Sequence, residues 1–124
     1  MPTQEVWLDD TILTTKWVHR LTADEVDASF AALRTMLDSA GHRVHLLFDL
    51  RESGMVPAQA PVLAIRSKFL ESATLDKVVV VSTDVIAQIL AKTASTVTMR
   101  EILFFPLYDV AVCYLRELAG RSGQ

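Results

Sequence analysis

Cysteine is nearly missing from this 124-residue chain: Cys113 is the single one. One thiol excludes an internal disulfide framework and fits a reducing compartment. Runs of Lys or Arg are also missing. The 12 basic residues are scattered among 15 acidic ones, for a net charge of -3. Nucleic acid is therefore a poor partner, because binding phosphates needs concentrated positive charge. No stretch is long and apolar enough to cross a membrane. The longest uncharged run, Ser53 to Ile65, is short and contains Pro57 and Pro61. The start "MPTQEVWLDD" has neither the basic residues nor the apolar segment of a signal peptide. The expected home is the cytoplasm. No P-loop, GxGxxG or GxSxG word occurs, and no repeats or linkers are visible.

What is present is apolar. Hydrophobic residues make up 51% of the chain, which argues against disorder. The length suits one domain with a real core, spanning residues 1–124. So much apolar surface in a short chain favours a homodimer or a bound apolar ligand.

The patterning alternates between two periods. "EVWL" (5–8) and "TILTTKWVH" (11–19), with Asp9-Asp10 between them, read as a hairpin. Thr22 and Glu25 form a capping box at the head of a helix over about 22–40. Val26, Phe30, Leu33 and Leu37 make its stripe, and Gly41 is the stop. "RVHLLFDL" (43–50) is a strand covered on both faces. "ESGMVPAQAP" (52–61) is loop-like. The next helix starts at Pro61 or nearer Pro57, with Val62, Ile65, Phe69 and Leu70 inward. "KVVVVS" (77–82) is the clearest buried strand. A helix over 83–95 follows, capped by Ser82 or Thr83, with Val85, Ile86, Ile89 and Leu90 inward. A strand over 100–106 and a helix over 106–120 close the chain. Leu107, Val110, Ala111, Tyr114, Leu115 and Leu118 form that last stripe, and residues 118–124 are expected to fray. The order β-β-α-β-α-β-α-β-α predicts an α/β fold: a mixed, mostly parallel sheet of about five strands with an antiparallel hairpin.

Read with its local words, this order resembles the STAS-like family, the fold of the anti-sigma-factor antagonists. "EVWLDDTILTTKWVHRLTADEV" is similar to the family's strand pair running into a capped helix. "HLLFDLRES" looks like its strand ending in Asp-Leu, and "KVVVVS" like the next unit. In "ILFFPLYDVAVCYL", Phe105, Ala111, Tyr114 and Leu115 stand in the matching places. The resemblance implies a regulatory module that binds a protein partner. Antagonists of this kind carry a phosphorylatable serine in an Asp-Ser-Ser-Gly-like turn, at the start of the helix after that strand. This chain has Glu52-Ser53-Gly54 instead, which makes Ser53 the possible phosphoacceptor. A second branch lacks the phosphoserine and is linked to small apolar ligands or lipids, and the departure moves weight toward it or toward an uncharacterised single-domain member.

The remaining candidates each face a plainer account. Ser53 and Gly54 sit where turn residues belong. Asp49, Arg51 and Glu52 could be an acid–base set, but Asp49 as a strand-end cap, with Arg51 and Glu52 solvated, accounts for them better. His42 and His45 point to opposite faces of an extended segment, with His19 distant, so no metal is expected. Cys113 is expected to be buried and inert. Ser82-Thr83-Asp84 opens a helix after a strand, but has no glycine for a close phosphate approach, so capping is the better account. Met55 and Val56 are apolar in what should be an exposed loop. Either they border a pocket or partner surface, or they fold back over the core.

The expected function is a non-catalytic regulatory or protein-interaction module without a cofactor. Its surface comprises Asp49, Arg51, Ser53, Gly54, Met55 and Val56. A carrier or sensor of a small apolar ligand or lipid is the alternative, and an enzyme comes third.

Overall fold

The computed structural model describes residues 2–122. Two strands come first, β1 (Thr3–Asp9) and β2 (Ile12–His19), paired antiparallel. Asp9 closes their turn: its carboxylate accepts the N–H groups of Thr11 at 2.9 Å and Ile12 at 3.1 Å. There follow α1 (Ala23–Asp38), β3 (Val44–Ser53), α2 (Ala60–Ser67), β4 (Leu75–Val81), α3 (Val85–Thr98), β5 (Ile102–Phe105) and α4 (Tyr108–Ser122). The expected order of elements is the observed one. The Thr22–Glu25 capping box is present in full.

The strands lie in chain order, and every pairing after the hairpin is parallel. Three successive crossovers thus step the same way across the sheet. Crossovers of one hand put their helices on one face. There α1, α2 and α3 pack over Leu13, Trp17, Leu46, Phe48, Val78 and Val80. Among the described residues only α4 covers the opposite face, laying Ala111, Val112 and Leu115 on Ile12, Leu47, Val79 and Val81. β3 is the middle strand, and residues 44–50 are all buried. An aromatic cluster fills the three-helix side. Phe30 stacks on Phe69 at 4.7 Å, and Trp17 meets Phe48 edge-on at 5.8 Å.

Two polar devices tie distant segments. Glu5 on β1 accepts hydroxyl bonds from Thr15 (2.6 Å) and Ser29 (3.1 Å), and the Trp17 indole N–H donates to Ser29, so buried hydroxyls are satisfied. Arg100 donates to the carbonyls of Leu70, Leu75 and Asp76, pinning the end of α3 to the start of β4.

Several expectations need correction. β3 runs on to Ser53, so Glu52 and Ser53 are strand rather than loop. α2 begins at Ala60 with Pro61 in its first turn, and Pro57 accepts the Ala60 N–H in the turn before. The helix breaks at Lys68 (φ 62°), and a 3-10 turn, Phe69–Glu71, redirects Phe69 and Leu70 inward. An unbroken stripe from Val62 to Leu70 is thereby dephased: Leu63 and Ala64 face in, and Val62 faces solvent. On α3 the buried residues are Ala87 and Ala94, while Val85, Ile86 and Ile89 are all more than half exposed. Alanines let α3 lie close over the sheet's short edge, so its large side chains point away. The cap of α3 is Asp84, whose carboxylate accepts the Ile86 N–H, rather than Ser82 or Thr83. On α4, Leu107 and Val110 are exposed and Val112 is buried. Cys113 is exposed, one position off the buried stripe. Gly120 does not end α4, which continues through Ser122; residues 123–124, part of the expected frayed tail, lie outside the described residues.

His45 is buried on β3. Its Nδ1 accepts the Lys77 N–H at 3.3 Å, so the ring is neutral although Asp76 Oδ2 lies 4.0 Å away. Burial holds its pKa below the ordinary histidine value, outweighing the upward pull of Asp76. A depressed folded pKa stabilises the fold above the unfolded value of about 6.5, and that contribution is lost as pH falls through the folded value. Melting temperature measured downward from neutral pH should therefore fall more steeply for the wild type than for His45→Gln. Val80 lies in β4 between Phe48 and Phe104 and is 4% exposed. Val80→Asp would bury an unpaired charge there and should leave the chain unfolded by circular dichroism.

Candidate functional site

The carboxyl ends of parallel strands are where open α/β sheets place ligands. Here those ends are Ser53 on β3, Ser82 after β4 and Pro106 after β5. With Arg51, Thr83 and Asp84 they border a polar cleft of about 210 Å³.

Asp49 is 4% exposed, and its Oδ1 caps the backbone at the strand end by accepting the Arg51 N–H at 3.2 Å. Its two oxygens take the fork of Arg51, with Nε to Oδ1 and Nη2 to Oδ2 both at 2.9 Å. The two residues alternate onto the same face of β3. The guanidinium then lies 4.2 Å over the Tyr108 ring, fastening the start of α4 to the strand end. Glu52 pairs with Lys16 on β2. Arg51 and Glu52 are thus held by partners rather than free in solvent. Burial alone would raise the Asp49 carboxyl, but hydrogen bonds from Arg51 outweigh it and hold the pKa below the usual carboxylate range. A carboxylate locked in its ionised form is unsuited to shuttling protons near neutral pH. It positions Arg51.

Ser53 is half-buried and lies beside His19 in the ladder. Its single hydroxyl proton is shared between the carbonyls of Leu50 (3.1 Å) and Gly54 (3.2 Å). It is a strand residue, seven positions before α2 begins, so it does not sit at a helix start. Gly54 is required by close approach: a Cβ there would lie 2.8 Å from the Arg20 backbone nitrogen. Its N–H donates to the His19 carbonyl at 2.8 Å, so the loop is stitched to the turn leading into α1.

Beyond Gly54 the apolar pair divides. Val56 folds back into the core, and Met55 stands 62% exposed. Met55, Pro57 and Gln59 from the loop, Arg20 and Thr22 from the turn before α1, and Ile86 with Leu90 from α3 line a groove of about 580 Å³. The structure therefore brings Met55 and Val56 to one groove and Arg51 and Ser53 to the adjoining cleft, while Asp49 lies beneath as their anchor. Ile86 and Arg20 were missed. Ile86 reads as a core residue in any stripe weighted by side-chain size, and nothing in the sequence signals Arg20.

The histidines stay apart. His42 hydrogen-bonds the Asp10 carbonyl at the other end of the sheet, His45 is buried, and His19 ends β2. Among the described residues, no three His, Cys, Asp or Glu side chains assemble as a metal site. No helix among them is long and apolar enough to cross a membrane. Inside the three-helix layer is an apolar cavity of about 70 Å³, walled by Phe48, Phe69, Val80, Ala91 and their neighbours. An engineered cavity of about 150 Å³ takes benzene, so this one is well short of a lipid's needs as it stands.

Comparison with known proteins agrees with this fold. In solved structures the fold is similar to the anti-sigma factor antagonist SpoIIAA in its unphosphorylated form. The TM-score is 0.66 at 11% identity, covering 92% of this chain and 97% of that one. It is also similar to an uncharacterized protein with a SpoIIAA-like fold from Shewanella loihica PV-4. There the TM-score is 0.64 at 17% identity, covering 91% of each chain. No curated protein matches the sequence closely enough to count as a relative. The SpoIIAA-like family model matches residues 12–116, from the first residue of β2 into α4. The chain belongs to the SpoIIAA-like family.

Proposed function

We propose that this protein is a non-catalytic regulatory module that binds a protein partner at the carboxyl edge of its sheet. The observation that carries the reading is the groove lined by exposed Met55 and Ile86, at the same sheet edge as the Arg51–Ser53 cleft. An adaptable methionine and a branched aliphatic at a groove, with a charged and hydroxylic rim, is the make-up of a protein interface. The SpoIIAA neighbour is an anti-sigma factor antagonist, so its target is itself a protein. The locked Asp49–Arg51 pair supports binding over proton transfer.

The second reading, a carrier or sensor of a small apolar ligand or lipid, is favoured by the internal apolar cavity. It requires α2 and α3 to separate, because about 70 Å³ does not admit such a ligand. Native mass spectrometry separates the two readings: a retained small-molecule mass favours the carrier, and the bare polypeptide mass counts against it.

A photo-crosslinker at Met55 would identify the partner in cells. Met55 and Ile86 are both exposed, so Met55→Asp with Ile86→Asp should fold normally. The double variant should bind that partner at least about tenfold more weakly, the loss expected when interface anchors are truncated. Unchanged affinity would sink the groove reading. Ser53→Asp places a second negative charge in the cleft that holds Asp84, and should change partner affinity with little effect on melting. If titration gave the wild-type constant, Ser53 would have no regulatory role.

A further inference from the structure

The outward face of α3 calls for a partner of its own. Val85 (63%), Ile89 (55%) and Val97 (59%) are exposed along it, and Met99 just past its end is almost fully so. Residues Val85–Thr98 include one charge, Lys92. Exposed helix faces in soluble proteins are normally polar. Nothing else in the described chain packs on this one.

We infer that this face joins a second copy of the chain, as an antiparallel α3–α3 pair about a two-fold axis. The argument is charge complementarity. The face is flanked by two charges of opposite sign, Asp84 at the cap and Lys92 two turns on. Neither forms an ion pair within the chain among the described residues. A two-fold axis lying in the interface and level with Gln88 sits four residues from each. Such an axis keeps each flank on its own side and inverts its direction. Asp84 of each copy then meets Lys92 of the other, twice over, and the two Ile89 side chains meet near the axis.

Other occupants fit less well. A membrane surface attracts helices rich in Lys and Arg on the polar face. Lys92 is the one basic residue in α3, and the chain carries a net charge of -3. A small ligand needs a concave site, and this face is convex. Size sets the strength. With the axis at Gln88 the two copies of α3 overlap over residues 84–92, about 14 Å, so the pair covers Val85 and Ile89, leaves Val97 and Met99 outside, and buries far less than the ~800 Å² per partner of a standard interface. The dimer is therefore weak, with mass rising on concentration.

Ile89 and Lys92 separate the proposal from the groove reading, since neither lines the groove or the cleft; Asp84 borders the cleft as well. Sedimentation equilibrium over a micromolar concentration series tests it. The wild type should move from the 13.8 kDa monomer toward twice that mass. Ile89→Asp, at an exposed position, should keep the wild-type circular dichroism and stay monomeric throughout. Lys92→Glu should weaken the dimer about tenfold by opposing Asp84, and adding Asp84→Asn, which retains a capping side chain, should recover part of the loss. A wild type that stays monomeric throughout overturns the proposal. So does a dimer that survives Ile89→Asp, or wild-type binding to phosphatidylcholine–phosphatidylglycerol vesicles that Ile89→Asp abolishes.

Discussion

Everything in this fold is hung on β3. It is the middle strand, buried on both faces from residue 44 to 50, and each face serves a different layer. Leu46, Phe48 and Leu50 build the three-helix core, while Leu47 meets the core under α4. Asp49 on that second face is the exception, a buried carboxylate in an apolar strand. It is tolerated because Arg51 meets both its oxygens. The same pair carries the strand past its apolar run and hands it to Tyr108. The structural anchor and the candidate site are therefore parts of one strand.

The one-way strand order has a second consequence. Three helices crowd one face, and the last of them must cover the short edge strand β5. A helix with little sheet beneath it gains most by lying close, and Ala87, Ala91 and Ala94 permit that. The large aliphatics of α3 are then displaced outward, where they supply both the groove wall at Ile86 and the bare face at Ile89. Interaction surface thus arises directly from topology.

Much of this was legible in the residues. The capping box at Thr22 and Glu25, the continuous apolar run of β3 and the valines of β4 each report a local cause, and each was read correctly. So was the order of elements, because alternating periods dictate alternating crossovers. The candidate residues Arg51, Ser53 and Met55 do gather at one edge. The faces that differ from expectation share one origin. Size and apolarity point Val62, Val85, Ile89 and Val110 inward, and the neighbouring apolar stripe does the same for Cys113, yet all five are exposed. That rule fails where a helix breaks, as at Lys68, or where small residues form the contact, as at Ala87.

The sequence by itself determined the elements and their parallel arrangement, since periodicity, caps and breakers act over a few residues. Only the tertiary structure decided which faces those elements would hide. It made Asp49 the partner of the Arg51 side chain as well as a backbone cap, split Met55 from Val56, and brought Ile86 to the same groove as Met55. The physical reason is that burial depends on what lies opposite. For α3 that was fixed by a four-residue strand at the sheet's edge, too narrow to cover every apolar side chain the helix carries.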